Sequence, residues 1–358
     1  MDKNTIIGFV LIAALLIGFS WYTQPSEEDI AKQRMQDSIT ALAKKKAEES
    51  RNAEAQASNQ NAQNNVNADT TAVFYKSLSG KAQNIILKNS KLELTLSTKG
   101  GTVEKAVIKD FKDNKGNKDL TLFDSKDQSL KFMLEGKETN IITSDLYFTP
   151  SNITDSTVTM TAVGSNGRSL VMNYKLGKNY LLHFSLKANG MSGLFSPNYN
   201  KLDIEWTDHC RQQEKGFTFE NRYASLTYHF TDGGTDYISE TSEKVDEKIE
   251  DAIDWVAFKN QFFSAVMIAK DDLGTNSLMT SIPQEKGSGY LKQYGAKVKT
   301  SFDPTGNNST ELEFYYGPND FRLLQKIEKE STFNKDLELH RLVYLGWPLF
   351  RIINRWFT

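Results

Sequence analysis

Four histidines, one cysteine and many closely spaced carboxylates are the residues with which this 358-residue chain could do chemistry. A histidine beside an acid can move protons, and a cysteine beside a histidine can act as nucleophile or metal ligand. Phase along the chain decides which of these is open to it. His183 alternates with Leu182 and Phe184, His229 alternates with Tyr228 and Phe230, and His209 shares parity with Asp203 and Glu205, so all three are expected on the polar faces of strands. Cys210 falls in step with Leu202, Ile204 and Trp206, which predicts a buried, inert thiol. His209 and Cys210 then point to opposite sides of a pleat and cannot share a metal. A single cysteine excludes a disulfide within the chain. Asp110 to Gly116 and Asp232 to Asp236 lack the alternating oxygen ligands and distal glutamate of a calcium loop, and Gly287-Ser-Gly289 lacks the lysine of a phosphate-binding loop, so all three read as turns. The acid pairs Asp203 with Glu205 and Glu311 with Glu313 are what the wet face of a strand carries. No reaction, cofactor or metal is specified, and the expectation is a protein that is not an enzyme.

The elements that would hold these residues are strands. From about Phe74 the period is two: Leu92, Leu94, Leu96; Val158, Met160, Ala162; Leu182, Phe184, Leu186; Leu202, Ile204, Trp206; Leu226, Tyr228, Phe230; and Leu312, Phe314, Tyr316. Gly-rich turns at Lys99-Gly100-Gly101, Asn114-Lys115-Gly116, Ser165-Asn166-Gly167 and Asp232-Gly233-Gly234 punctuate them. Short turns leave no room for crossover helices, so the strands are antiparallel and half-buried. The unbroken apolar run Phe262 to Ala269 predicts a central strand buried on both faces. Two large packed sheets over residues 71–330 are the expected architecture, with Ser242 to Ile253 as one short acidic helix.

Both ends of the chain differ from this body. Ile6 to Tyr22 is apolar except for Gly8, Gly18 and Ser20, and no charge lies between Lys3 and Glu27. At about 1.5 Å per residue this segment and its uncharged flanks span a bilayer. Trp21 and Tyr22 close it as interfacial residues where a cleaved signal would show small ones, so residues 1–26 read as an uncleaved anchor. Lys3 before it and Glu27, Glu28 and Asp29 after it predict a cytoplasmic amino terminus. Residues 27–70 are first a thin-striped solvated helix and then a polar tether, SNQNAQNNVNAD. Residues 331–358 place Trp347, Phe350, Ile353, Trp356 and Phe357 among Arg341, Arg351 and Arg355, with Pro348 as a kink. The longest uncharged stretch there, Leu342 to Phe350, is too short to span, so an amphipathic helix in the headgroup region is expected, with a terminal helix docked on the sheet domain as the alternative. The predicted interfacial residues are therefore Trp21, Tyr22, Arg341, Trp347, Arg351, Arg355 and Trp356. With 43 basic and 45 acidic residues the chain offers no general attraction to nucleic acid.

The order anchor, tether, β-domain and basic aromatic helix resembles the N-terminal half of the YidC membrane protein insertases of the Oxa/Alb family. MDKNTIIGFVLIAALLIGFSWY resembles that family's first transmembrane segment, and WVAFKNQFFSAVMIAK resembles its W-V-A-x(n)-F-F strand. ELEFYYGPNDFRLL carries a motif like its F-Y-x-G-P, and LGWPLFRIINRWFT is similar to the helix before its second span. The resemblance implies a periplasmic β-supersandwich in the bacterial inner membrane, and a role in inserting and folding membrane proteins. It implies as partners the lipid bilayer, nascent membrane proteins and the Sec translocon with SecD and SecF. It further implies membrane spans beyond Thr358, so that the residues here supply anchoring, spacing and docking. Two other readings stay open: a sugar-binding or mutarotase-like domain, in which two histidines and a carboxylate would converge in a cleft, and a structural adaptor.

Overall fold

The computed structural model describes residues 73–116, 118–238 and 244–343. The anchor, the tether and most of the basic aromatic tail lie outside these residues. The two α-helices among the described residues, Phe217–Tyr223 (α1) and Phe321–Glu330 (α2), are too short to cross a membrane. Strands make up the rest of the regular structure, and every pairing is antiparallel.

The chain first forms a four-stranded meander from β1 (Asn84–Lys88), β2 (Leu92–Ser97), β3 (Val103–Lys112) and β4 (Lys118–Phe123). It continues through β5 (Gln128–Leu134), β6 (Ile141–Ile142), β7 (Thr149–Ser151), β8 (Thr157–Val163), β9 (Ser169–Leu176), β10 (Leu181–Asn189) and β11 (Lys201–Arg211). After α1 come β12 (Ser225–Phe230), β13 (Thr235–Tyr237), β14 (Val245–Ile249), β15 (Ile253–Lys259), β16 (Phe263–Ala269), β17 (Ser277–Pro283), β18 (Tyr290–Ser301) and β19 (Thr310–Pro318), then α2. A nine-stranded sheet runs β13-β12-β15-β16-β19-β10-β9-β8-β7, and a six-stranded sheet runs β14-β17-β18-β11-β5-β6.

The expected large antiparallel sandwich is present. Leu92, Leu94 and Leu96 are buried while the intervening Glu93 and Thr95 are half-buried, and Val158, Met160 and Ala162, and Leu202, Ile204 and Trp206, alternate in the same way. Aromatic rings join the sheets: Trp206 stacks on Phe258 at 4.0 Å, Phe132 on Phe184 at 5.2 Å, and Phe123 meets Tyr316 at 5.4 Å. Each ring removes large apolar area from water and fixes the spacing of the sheets.

Three expectations need correction. First, the Leu226 and Leu312 segments are not half-buried. In β12 and β19, as in β15 and β16, residues of both parities are buried, because α2 and the chain that follows it cover the outer face of the nine-stranded sheet. Second, the acidic segment from 242 is a strand where it is described: β14 pairs with β17 at the sheet edge, where its charges leave nothing attractive for a further strand. Third, a second helix follows Gly317 and Pro318, which close β19 opposite Ser264 and Phe263. Asp320 caps it by accepting the Leu323 N–H at 2.7 Å, and Phe321, Leu324 and Ile327 form its buried stripe. The predicted buried strand at Phe262 to Ala269 is β16, flanked by β15 and β19, although Phe262 itself lies in the preceding turn.

Candidate functional site

The histidines are dispersed. His183 on β10 faces its cross-strand partner Glu313, with Nδ1 at 3.0 Å from Oε1. The same oxygen accepts the Thr332 N–H at 2.9 Å and the Thr332 hydroxyl at 2.8 Å. Burial pushes Glu313 up, but these donors outweigh it and hold the carboxyl below its usual range. His209 lies outward on β11, its ring edge-on to Tyr290 and Nδ1 at 3.4 Å from the Asp127 carbonyl. His340 packs on Phe321 beside Glu328. His229 departs from its expected place on a wet face, since it is only 1% exposed. No carboxylate is shared by two of these histidines, and His183 and His229 line separate hollows. The convergence that a sugar-isomerising relay requires is not formed.

Cys210 is buried, and burial pushes its thiol well above the ordinary range. Its neighbour in phase, Asp208, points into the same interior, where burial and Asp127 raise its carboxyl strongly. The parity that buries Cys210 places this acid inside as well, a signal present in the sequence although aspartate as a residue type reads as wet. Among the described residues no cluster of three or more His, Cys, Asp or Glu is arranged to hold a metal. The Asp110 segment ends β3 and enters its connection to β4, and the Asp232 segment is the turn after β12 together with the start of β13.

The polar side chains that do converge fasten one segment. Residues 331–343, which fall within the expected interfacial helix, are an extended strap ending in a 3-10 turn, Leu339–Leu342, and they dock on the sheet. Leu337, Leu339 and Leu342 are buried against it. Polar anchors then set the strap's position. The Trp255 indole N–H donates to the Leu337 carbonyl at 2.7 Å, and Lys259 Nζ donates to the Leu342 carbonyl at 3.1 Å. Lys335 reaches back to Asp254 at 2.5 Å and to the carbonyl of Asp271.

His229 stands between two acids at the middle of the strap. Nδ1 is 3.3 Å from Asp254 and Nε2 is 3.5 Å from Glu338, while the ring lies nearly parallel to Trp255, 10° apart. Burial pushes Asp254 up, and His229 and Lys335 together bring it below its usual value. Glu338 follows the same logic: burial raises it, and Arg341, the Gly234 N–H and His229 lower it further. Arg341, expected at a lipid boundary, grips Glu338 at 2.6 Å with its side chain 44% exposed. The three leucines seat this part of the strap, because they find apolar sheet to cover. Trp21, Tyr22, Trp347, Arg351, Arg355 and Trp356 lie outside the described residues.

The site is therefore an attachment, with the chain leaving it at Val343 toward the basic aromatic tail. Comparison with known proteins gives it a context. A family model described as the YidC periplasmic domain matches residues 84–358. A protein from Phocaeicola vulgatus named "Membrane protein insertase YidC" is 48% identical over 360 residues, covering 100% of this chain and 57% of its own length. The protein of the same name from Bacteroides fragilis is 41% identical over 361 residues, with 100% and 57% covered, and that from Porphyromonas gingivalis is 31% identical over 366 residues, with 99% and 57% covered. The chain thus spans little more than half the length of these relatives. Among solved structures, a galactose mutarotase related enzyme from Lactobacillus acidophilus is 10% identical with a TM-score of 0.40, covering 65% of this chain and 97% of its own.

Proposed function

The chain belongs to the YidC family of membrane protein insertases, and from that we infer that it supplies the membrane anchor and the periplasmic domain of a protein that inserts and folds integral membrane proteins. The observation that carries the reading is the match of the whole chain, at 48% identity, to a protein bearing that name. In this reading residues 1–26 cross the inner membrane from a cytoplasmic amino terminus and residues 27–70 space the domain from it. The sandwich extends through the strap to residue 343, and residues 344–358 lie in the headgroups, with Trp21, Tyr22, Trp347, Arg351, Arg355 and Trp356 at the two boundaries. The partners are the bilayer, nascent membrane proteins and the Sec translocon with SecD and SecF. The domain contributes position, and the insertion chemistry is desolvation of the substrate elsewhere in the protein.

Depletion of the whole protein in the cell that makes it tests the function. Pulse-labelled polytopic membrane proteins should lose their protease-protected fragments as the protein is depleted, and insertion that continues unchanged would sink the proposal. Recovery of a chain trimmed beyond Tyr22 from the soluble periplasm would remove the anchor.

A further inference from the structure

An open apolar hollow of about 590 Å³ lies beside the start of α2, between Phe111 of β3 and the Phe262 turn. Phe111 of β3 and Phe263 of β16 meet edge to face at 5.2 Å within it, and Leu323 of α2 closes one side. Phe262 stands over them 45% exposed. The turn that presents this ring is fixed: Asn260 Oδ1 accepts the N–H groups of Phe262 and Phe263 at 3.0 and 2.8 Å, and the Asn319 N–H donates to the Phe262 carbonyl at 2.6 Å. A large aromatic held rigidly in water is an unfavourable arrangement unless something covers it.

Charge and chain geometry indicate what covers it. Lys91 and Lys112 line the hollow and are exposed, and Arg322 is exposed beside Leu323. Two acids oppose them, Glu214 and Asp320, and Asp320 is already engaged in capping α2. The strap ends at the same place. Phe321, next to Asp320, packs on His340 at 5.3 Å, and Lys259, three residues before Phe262, holds Leu342. Trp347 follows Val343 by four residues, which reach at most about 14 Å when extended. A tail seated in the headgroups therefore keeps this basic and aromatic end within reach of the same lipid.

We propose that the Phe262 hollow is a lipid-contact face, with the phenylalanine in the headgroup region of an anionic bilayer and Lys91, Lys112 and Arg322 against phosphates, so that the domain is seated on the membrane at one end. This rests on the reading of residues 344–358 as interfacial, and the test separates the two. The full chain, carrying Cys210→Ala, is reconstituted in vesicles containing phosphatidylglycerol, with a nitroxide at Phe262→Cys, at Leu278→Cys or at Trp356→Cys. Leu278, 49% exposed on the six-stranded sheet, is the aqueous reference. The ratio of oxygen to nickel-chelate accessibility at 262 should exceed that at 278 several-fold, and Lys91→Glu with Lys112→Glu should reduce it. A ratio at 262 equal to that at 278 overturns the face, even with lipid contact at 356. Lipid contact at 262 with water at 356 upholds the face and overturns the tail reading. A label at 262 shielded from both probes marks a protein contact and also overturns it.

Discussion

Trp255→Phe cuts the strap's attachment without adding or removing charge. Phenylalanine keeps an aromatic ring beside His229 but takes away the indole N–H that reaches the Leu337 carbonyl at 2.7 Å. That carbonyl is then left in the interior without its donor, which costs about 1–3 kcal/mol. Trp255 has no exposure, so the volume its larger ring vacates stays partly empty and adds on the order of 1 kcal/mol. The sum is roughly 2–4 kcal/mol, and its location matters as much as its size. The strap lies over the nine-stranded sheet beside α2, outside the two packed sheets, so it can open without the sheets separating. Its amides, such as Arg341 N–H on Glu338 and Val343 N–H on His340, should exchange about 30- to 700-fold faster, at tenfold per 1.4 kcal/mol. The amides of β11 and β18 should keep their rates. Hydrogen exchange read by mass spectrometry on peptides covering 331–343 and 201–211 measures both. A change below threefold in the strap, or equal acceleration in β11, would refute the claim that this bond holds a separable segment.

Two further perturbations follow from the same structure. Burial pushes Glu220 from 4.5 up to about 7, with the N–H groups of Gln213 and Glu214 offsetting only part of it. The folded chain thus keeps a proton that the unfolded chain releases near 4.5, so stability from this group is greatest below that pH and declines by up to about 3 kcal/mol as pH rises to 7. Glu220→Gln should flatten the fall in urea midpoint between pH 5 and pH 8, and an unaltered slope counts against it. Gly306 has φ +78°, and an added Cβ would lie 2.0 Å from the Ala188 carbonyl oxygen, whereas Gly116, at φ +83°, has nothing within 4 Å. Gly306→Ala should cost at least about 2 kcal/mol more than Gly116→Ala, beyond the roughly 1–2 kcal/mol that a left-handed conformation costs either; equal melting shifts would show that space at Gly306 is not limiting.

The sandwich was legible where one face of a strand is wet. Leu92, Leu94 and Leu96 alternate with exposed or half-buried polar residues, so the period reports the burial directly. It failed where a second layer covers the outside. In β12 and β19 the polar residues Thr227, His229 and Glu313 are buried because α2 and the strap lie over them, and nothing near them in sequence announces that cover. His229 and Glu338 are more than a hundred positions apart, so their meeting belongs to the tertiary fold. For α2 the signal was present: Asp320 as cap and Phe321, Leu324 and Ile327 at helical spacing. Gly317 and Pro318, residue types that usually mark turns, stand just before it, although both pair within β19. At Arg341 the signal is two-sided, since a basic residue among leucines suits a lipid boundary and a sheet surface equally well until the leucines' partner is known.

The strap's chemistry bears on how the domain relates to whatever follows it. Leucines alone would let the segment slide, because apolar contact is non-directional. Lys335 on Asp254, Trp255 on Leu337 and Lys259 on Leu342 fix three points within eight residues, each bond having one position along the chain. A buried ion pair adds little net stability over apolar packing, but a slipped register that separates Lys335 from Asp254 costs several kcal/mol. The exit at Val343 is thereby held at the same end of the sandwich as Phe262, and the short distance from there to Trp347 becomes a geometric constraint on the domain. Were the strap free to slip, a tail in lipid would say nothing about which face of the domain the membrane meets. With the register fixed, it selects one.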